Sequence, residues 1–348
     1  MPTKDDRSIA IWLLICCATI FCMVTLGGVT RLTGSGLSMV QWSVIMGVIP
    51  PISDADWQHT FELYKQYPEY QKVNSHMDVH DFKSIFWFEY AHRMLGRFIG
   101  ILFFFPMVYF IIRKKVRPGL TPKLIAMFIL GGLQGLMGWY MVKSGLVNDP
   151  HVSQYRLTAH LGLALVIYGY ILWVALGLLL PARSDTQETT SKIHYFSWAL
   201  LLLIFITAMS GGFVAGLKAG FAYNTFPLMA GQWVPDNILA LQPAWTNFFE
   251  NVATVQFQHR VLAISLFLVV IAFWFIAIKN TRPGRVRLAL HLLLAAIALQ
   301  VILGISTLVM KVPVPLAAAH QAGGVILLTA IIFVTHQLHQ HASPEQSS

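Results

Sequence analysis

The sequence predicts an all-α membrane protein whose eight transmembrane helices form two parallel four-helix repeats. Three observations carry this expectation. Of 348 residues, 56% are hydrophobic and only 11% are charged, so long stretches have too little polarity to face water. Eight apolar runs are each long enough to cross about 30 Å of hydrocarbon as a helix. Motifs of the first half return in the second in the same order, at offsets between 160 and 184 residues. Backbone groups in lipid need internal partners, and the runs lack the roughly ten-residue alternation of a barrel strand, which leaves helices.

The first run extends from Ile9 to Val29. Met1 to Arg7 is too short and too acidic for an organelle transit peptide, and no small-residue cleavage site follows the run, so it reads as a retained span. Cys16, Cys17 and Cys22 lie inside it without metal-ligand spacing and read as small buried hydrophobes. A long segment near 31–83, rich in Trp, Pro and polar residues, is expected to form a structured lid. Spans near 84–112, 123–142 and 156–180 complete a first half at residues 1–180. Residues 181–194, rich in Ser, Thr and Asp, form the expected cytoplasmic linker. Residues 195–348 are the second half, with spans near 195–214, 250–278, 287–310 and 316–336 and a shorter lid at 215–249.

The net charge of +9 is placed as a topology signal and not as a nucleic-acid surface. Arg113, Lys114, Lys115, Arg117 and Lys123 fall in one inter-span loop, Arg183 and Lys192 in another, and Lys279, Arg282, Arg285 and Arg287 in a third. All three are on the side of the N-terminus; the opposite short loops carry single charges such as Lys143, Lys218 and Lys311. The basic excess therefore predicts both termini in the cytoplasm, both lids outside, and a bacterial inner membrane as the simplest location. His336, His339 and His341 read as a solvated cytoplasmic end, and His59, His76, His80 and His151 as solvated loop residues.

The chemistry concentrates on four histidines inside spans: His92 and His160 in the first half, His259 and His320 in the second. EYAHRMLG around His92 is echoed by QFQHRVLA around His259, and TAHLGLAL around His160 by AAHQAGGV around His320. A Gln-x3-Gly step also recurs, Gln134 to Gly138 and Gln300 to Gly304. Intramembrane ionisable residues are expensive, and two imidazoles on facing helices can ligate a haem iron from both faces. The alternative for any single one is a hydrogen-bonded structural histidine. Arg93, Arg97 and Arg260 follow the first histidine of each half; haem propionates, helix carbonyls or outer-loop acids are their candidate partners. The halves differ at one telling position, where Glu89 stands three residues before His92 and Gln256 at the matching place before His259. A carboxyl beside one histidine pair can accept a proton or stabilise developing positive charge, which points to the first half as the reactive one; the alternative for Glu89 is a salt bridge to Arg93 or Arg97.

Together, GGVTRLTGSGLSMVQW (Gly27 to Trp42), EYAHRMLGR, HLGLAL, NTFPLMAGQWVP (Asn224 to Pro235), FQHRVLA and AHQAGG resemble the haem A synthase family, in the branch shared by proteobacteria and mitochondria. The resemblance runs from about residue 10 to 336. It implies an oxidoreductase that converts the C8 methyl of haem O into the formyl group of haem A for cytochrome oxidase. The course it implies is hydroxylation, a second oxidation to a geminal diol, and loss of water. It further implies a resident haem b on His259 and His320, substrate haem iron at His92 and His160, and an essential acid at Glu89. Haem O synthase (protohaem farnesyltransferase) would be the partner delivering haem O, and an unidentified electron acceptor would be needed. Other branches carry a cysteine pair in the first outer loop, whereas residues 31–83 contain no cysteine, so a thiol-based step has no residues here.

Two other classes compete. A non-catalytic b-type cytochrome would also use histidine pairs in a duplicated bundle, yet it needs neither the Glu89/Gln256 difference nor long outer lids. A transporter would show broken helices with a midplane acid, and no such pair stands out.

Overall fold

The computed structural model describes residues 2–40, 46–146, 150, 152–180, 191–281 and 284–342. Ten α-helices are found among them: α1 (Lys4–Leu32), α2 (Asp54–Lys65), α3 (Val79–Ile112), α4 (Thr121–Gly145), α5 (Gln154–Leu179), α6 (Ser191–Gly216), α7 (Asn247–Glu250), α8 (Val252–Lys279), α9 (Arg285–Val309) and α10 (Val314–Ala342). Eight of these are long and apolar enough to span a bilayer, all except α2 and α7. The chain is thus a multi-pass, all-α membrane protein.

Helices α1, α3, α4 and α5 pack as one ring, and α6, α8, α9 and α10 as another; α1 and α5 meet α10, and α5 also meets α6, where the rings join. Because α1, α5 and α10 sit between rings, they are the most buried spans, whereas α4 shows most of its surface to lipid. Their junction is apolar: Ile9, Leu13, Ala175 and Ile331 are fully buried in one continuous cluster. Lipid tails are as apolar as leucine, so close packing of small residues is what holds such helices together. Gly212 shows the effect, since a methyl there would lie 2.8 Å from Thr158 Oγ1 across the α5–α6 contact.

Helix α1 starts with a capping box in which the Thr3 side chain accepts from Asp6 N and Asp6 reaches back to Thr3 N. At α3 the structure departs from the expected span start near residue 84. The helix begins at Val79, where Asp78 Oδ1 accepts from His80 N at 2.8 Å and Asp81 N at 2.9 Å. The extra turn carries Phe82, which with Ile85 and Phe86 forms an apolar face that needs a cover. Trp57, Phe61 and Tyr64 of α2 supply it as an aromatic cluster. His92 therefore lies about 20 Å along its helix, deeper from the helix end than the two turns the sequence led us to expect. The shorter second lid provides no such extension. Asn251 caps α8 at Ala253 N and Thr254 N, so that helix begins only at Val252.

The C-terminal end also differs from expectation. Helix α10 continues to Ala342, and His336 is buried against Trp173 with ring centroids 5.0 Å apart. The span does not stop at His336 because Leu338, fully buried, keeps the helix packed. His59, His76 and His80 are exposed as expected, while His151, Arg183 and Arg282 lie outside the described residues. Cys16 and Cys17 are buried, Cys22 is exposed, and all three are free thiols.

Candidate haem-binding sites

Each of the four intramembrane histidines is held against a glycine on a neighbouring helix. A methyl group added at Gly27 of α1 would lie 3.0 Å from His92 Nε2, and one at Gly211 of α6 would lie 3.3 Å from His259 Cε1. At Gly138 of α4 it would lie 3.1 Å from His160 Cε1, and at Gly304 of α9 only 2.9 Å from His320 Cε1. Glycine is needed here because the rings occupy the space where any Cβ would project. The two members of each pair stand on opposite helices of one ring, His92 on α3 with His160 on α5, and His259 on α8 with His320 on α10.

The Gln-x3-Gly step explains itself in this geometry. Four residues apart on a helix means one face, so Gln134 and Gly138 both point at His160, and Gln300 and Gly304 both point at His320. Gln134 Nε2 donates to His160 O at 3.0 Å, and Gln300 Nε2 donates to His320 O, also at 3.0 Å. These amides tie the histidine-bearing helix to its neighbour. Gln134 lies in addition 3.2 Å from His160 Nδ1, whereas His320 Nδ1 is buried without a partner.

A second fixed point exists on one side only. Ser210 Oγ lies 2.7 Å from His259 Nδ1, the arrangement that sets the tautomer of an iron-ligating imidazole. Leu26 stands 184 residues earlier, at the position matching Ser210, and offers His92 no hydroxyl.

The Glu89/Gln256 difference extends into the lids. Glu89 is buried, 3% exposed, and both of its oxygens are engaged. Its Oε2 accepts from Ser38 Oγ at 2.7 Å and from Met39 N at 2.7 Å, and its Oε1 pairs with Arg93 Nη2 at 2.5 Å. Arg93 also donates to Met39 O at 2.8 Å. In the second half Arg260 donates to Tyr223 O at 2.7 Å, and Tyr223 is the residue 184 positions after Met39. Gln256 Nε2 donates to the same carbonyl at 3.0 Å and leaves its Oε1 buried and unpartnered. Ala222 stands where Ser38 would be matched. The first half thus has a carboxyl with a hydroxyl partner where the second half has neither group.

Sequence reasoning singled out Glu89, the four histidines and the arginines, and the structure brings Glu89 and Arg93 together. Arg97 lies one turn further along, with Nη1 3.6 Å from Met94 Sδ. Ser38 and Ser210 were missed as site residues. Ser38 sits inside the conspicuous GSGLSMV segment, and comparing it with Ala222 would have exposed it. Beside Arg93 a cavity of about 200 Å³ opens between the first lid, α3 and α4, lined by Met39, Val40, Trp139 and Lys143 among others.

The donor set fits haem iron. Four imidazoles in two pairs, one with an orphaned buried nitrogen, and four glycines that let the rings lie against the neighbouring helices suit bis-histidine ligation.

Residues 10–332 match the COX15-CtaA cytochrome oxidase assembly protein family. The chain is 52% identical to a protein of Nitrosospira multiformis named heme A synthase, over 98% of each chain. It is 52% identical to the heme A synthase of Nitrosomonas eutropha, over 97% of this chain and 95% of that one. The human protein named heme A synthase COX15 is 43% identical over 98% of this chain and 85% of its own.

Proposed function

This chain belongs to the COX15-CtaA family of cytochrome oxidase assembly proteins, and from that premise we propose that it is a haem A synthase, an oxidoreductase that turns the C8 methyl of haem O into a formyl group. The observation that carries the reading is near-full-length identity of 52% to proteins so named, in a chain whose four half-buried histidines stand in two pairs, each on helices across one four-helix ring. An electron-relay cytochrome would use the pairs but has no use for a carboxyl kept in one half and an amide in the other.

We assign His259 and His320 to a resident haem b and His92 and His160 to the iron of the substrate. The fixed Ser210–His259 contact supports this division, because a permanent ligand gains from a set tautomer, while a substrate site must admit and release its guest. The resident haem, when bound, supplies one-electron redox chemistry. Glu89 acts at the substrate edge, held in place by Ser38, Met39 N and Arg93. It stabilises positive charge developing beside the substrate methyl. Arg93 and Lys143, at the cavity under the first lid, present positive charge to propionates. Arg97 and Arg260 are further propionate candidates. Buried carboxyl and buried guanidinium stabilise each other, so Arg93 also keeps Glu89 affordable in the membrane.

The halves act as parallel repeats, residues 1–180 holding the substrate and 195–348 the cofactor; of the linker expected at 181–194, residues from Ser191 on belong to α6. Both termini lie in the cytoplasm of a bacterium with the haem sites toward the outer side, as the basic loops indicate. Haem O synthase delivers the farnesylated substrate, and a separate acceptor takes the electrons.

The test is coexpression with haem O synthase, followed by pigment extraction and mass identification of the haems. Haem A must appear. Finding only haem b with unmodified haem O would overturn the assignment and favour an electron relay. In cells lacking haem O synthase the purified protein should retain haem b, and replacing His259 and His320 should remove it.

A further inference from the structure

A second buried carboxyl lies over the reactive half. Glu69, between α2 and α3, is 8% exposed, and its Oε2 accepts from the hydroxyl of Tyr64 at 3.2 Å. Tyr64 is fully buried and itself accepts from Asn74 Nδ2 at 2.8 Å. Tyr64 stacks on Phe82 of α3, with centroids 5.0 Å apart. Phe82 and Glu89 are seven residues, two helical turns, apart on one face of α3, so the ring on which Tyr64 stacks lies roughly 10 Å along the helix from Glu89. No cation contacts Glu69 directly among the described residues; the charges that face it are Glu89 from α3 and Lys218 from beyond α6.

On the reading that this half oxidises a haem methyl, we propose that Glu69 is the proton-accepting group that takes protons released at the Glu89 site and passes them to outer water. Glu89 is poorly suited to that part. Both its oxygens are occupied, one of them by Arg93, whereas Glu69 has a single neutral donor. Burial, and next the neighbouring Glu89 charge, hold the Glu69 carboxyl up at about 7, where it can load and unload at neutral pH. The step is a proton transfer alone, relayed by water between the two carboxyls: an O–H bond of water or of a substrate hydroxyl at the Glu89 site breaks, an O–H bond forms on Glu69, and no electrons move. Tyr64, whose hydroxyl lies on Glu69 and which also feels the Glu89 charge, is the positioning residue.

Infrared titration of the purified protein gives a readout independent of turnover. A protonated-carboxyl band should titrate near pH 7, vanish in Glu69→Gln, and titrate at lower pH in Glu89→Gln. In membranes supplied with haem O, the wild-type rate should fall as pH drops below 7. Glu69→Gln should lose that limb and run on the order of 10-fold slower at neutral pH, and Glu69→Asp should restore part of it. Retained haem b shows that each variant has folded. A band that persists in Glu69→Gln, or an unchanged acid limb, overturns the proposal. Wild-type protein that shows the Glu69 band but makes no haem A at any pH counts against the reaction, not against the protonation of Glu69.

Discussion

Ser38 Oγ donates a 2.7 Å hydrogen bond to Glu89 Oε2, and it joins the first lid to the helix that carries His92. Both residues are buried, Ser38 fully. Neither has a counterpart in the second half, where Ala222 and Gln256 occupy the matching positions. A lid that was only a cover would not need a hydroxyl aimed at the one carboxyl that distinguishes the halves. The lid is therefore part of the reactive site.

Replacing Ser38 with alanine leaves Glu89 with Met39 N and Arg93 but removes a charge-assisted bond of about 1.5–3 kcal/mol. The carboxyl should lose its fixed orientation, and haem O conversion should fall roughly 10-fold or more. Resident haem b should be unaffected, because the contact is confined to the first half. Wild-type rates in Ser38→Ala, measured by pigment analysis of membranes, would remove the lid from the chemistry.

Ser210→Ala tests the other half. Its hydroxyl fixes His259 Nδ1 at 2.7 Å, and losing such a partner to a metal-bound histidine costs roughly 10- to 100-fold in affinity. The variant should bind haem b more weakly, read as haem-to-protein ratio after detergent washing. A Leu26→Ser change in the first half should leave that ratio as it is. If Ser210→Ala keeps full occupancy through the wash, the asymmetry assigned to the two pairs has no basis in this contact.

Much of this was legible in the chain, and the reason is physical. Apolar runs of spanning length can only be helices in lipid, so all eight spans were readable from composition. His92, His160, His259 and His320 stood out because ionisable groups in lipid are rare. The start of α3 was hidden because Val79 to Lys83 is polar enough to pass for loop; only the aromatic cover from Trp57, Phe61 and Tyr64 makes it helix. Burial of His336 was hidden in the same way, since Trp173, its packing partner, comes from a distant span. Ser38 was missed because a serine in a glycine-rich segment carries no periodicity, and its meaning comes from Glu89, fifty-one residues away.

Glu69 also makes stability depend on pH, with a sign that can be worked out. A carboxyl raised from 4.5 to about 7 on folding binds its proton in the native state where the unfolded chain has already released it. Stability therefore falls as pH rises between those values, by at most about 1.4 kcal/mol per unit, and stays lowered above them. Glu69→Gln cannot titrate. Its thermal midpoint should exceed that of the wild type at pH 8 and come close to it at pH 5. Equal midpoints at pH 8 would mean that the buried carboxylate carries no cost.

The glycine cradles give a reciprocal pair of variants. At Gly304 a methyl would lie 2.9 Å from His320 Cε1, closer than Cβ atoms tolerate, so Gly304→Ala must push the imidazole off its position. At Gly138 the corresponding distance to His160 is 3.1 Å, and the ring must yield by a few tenths of an ångström. Axial ligation depends on imidazole direction, so each substitution should damage only its own site. Gly304→Ala should lose resident haem b in the absorption spectrum. Gly138→Ala should keep haem b and lower conversion of haem O. Helix propensity favours alanine over glycine by about 1 kcal/mol, so a general loss of folding is not the expected route to either defect. If Gly138→Ala removed haem b, or Gly304→Ala left it in place, the assignment of resident and substrate haem to the two halves would have to be reversed or abandoned.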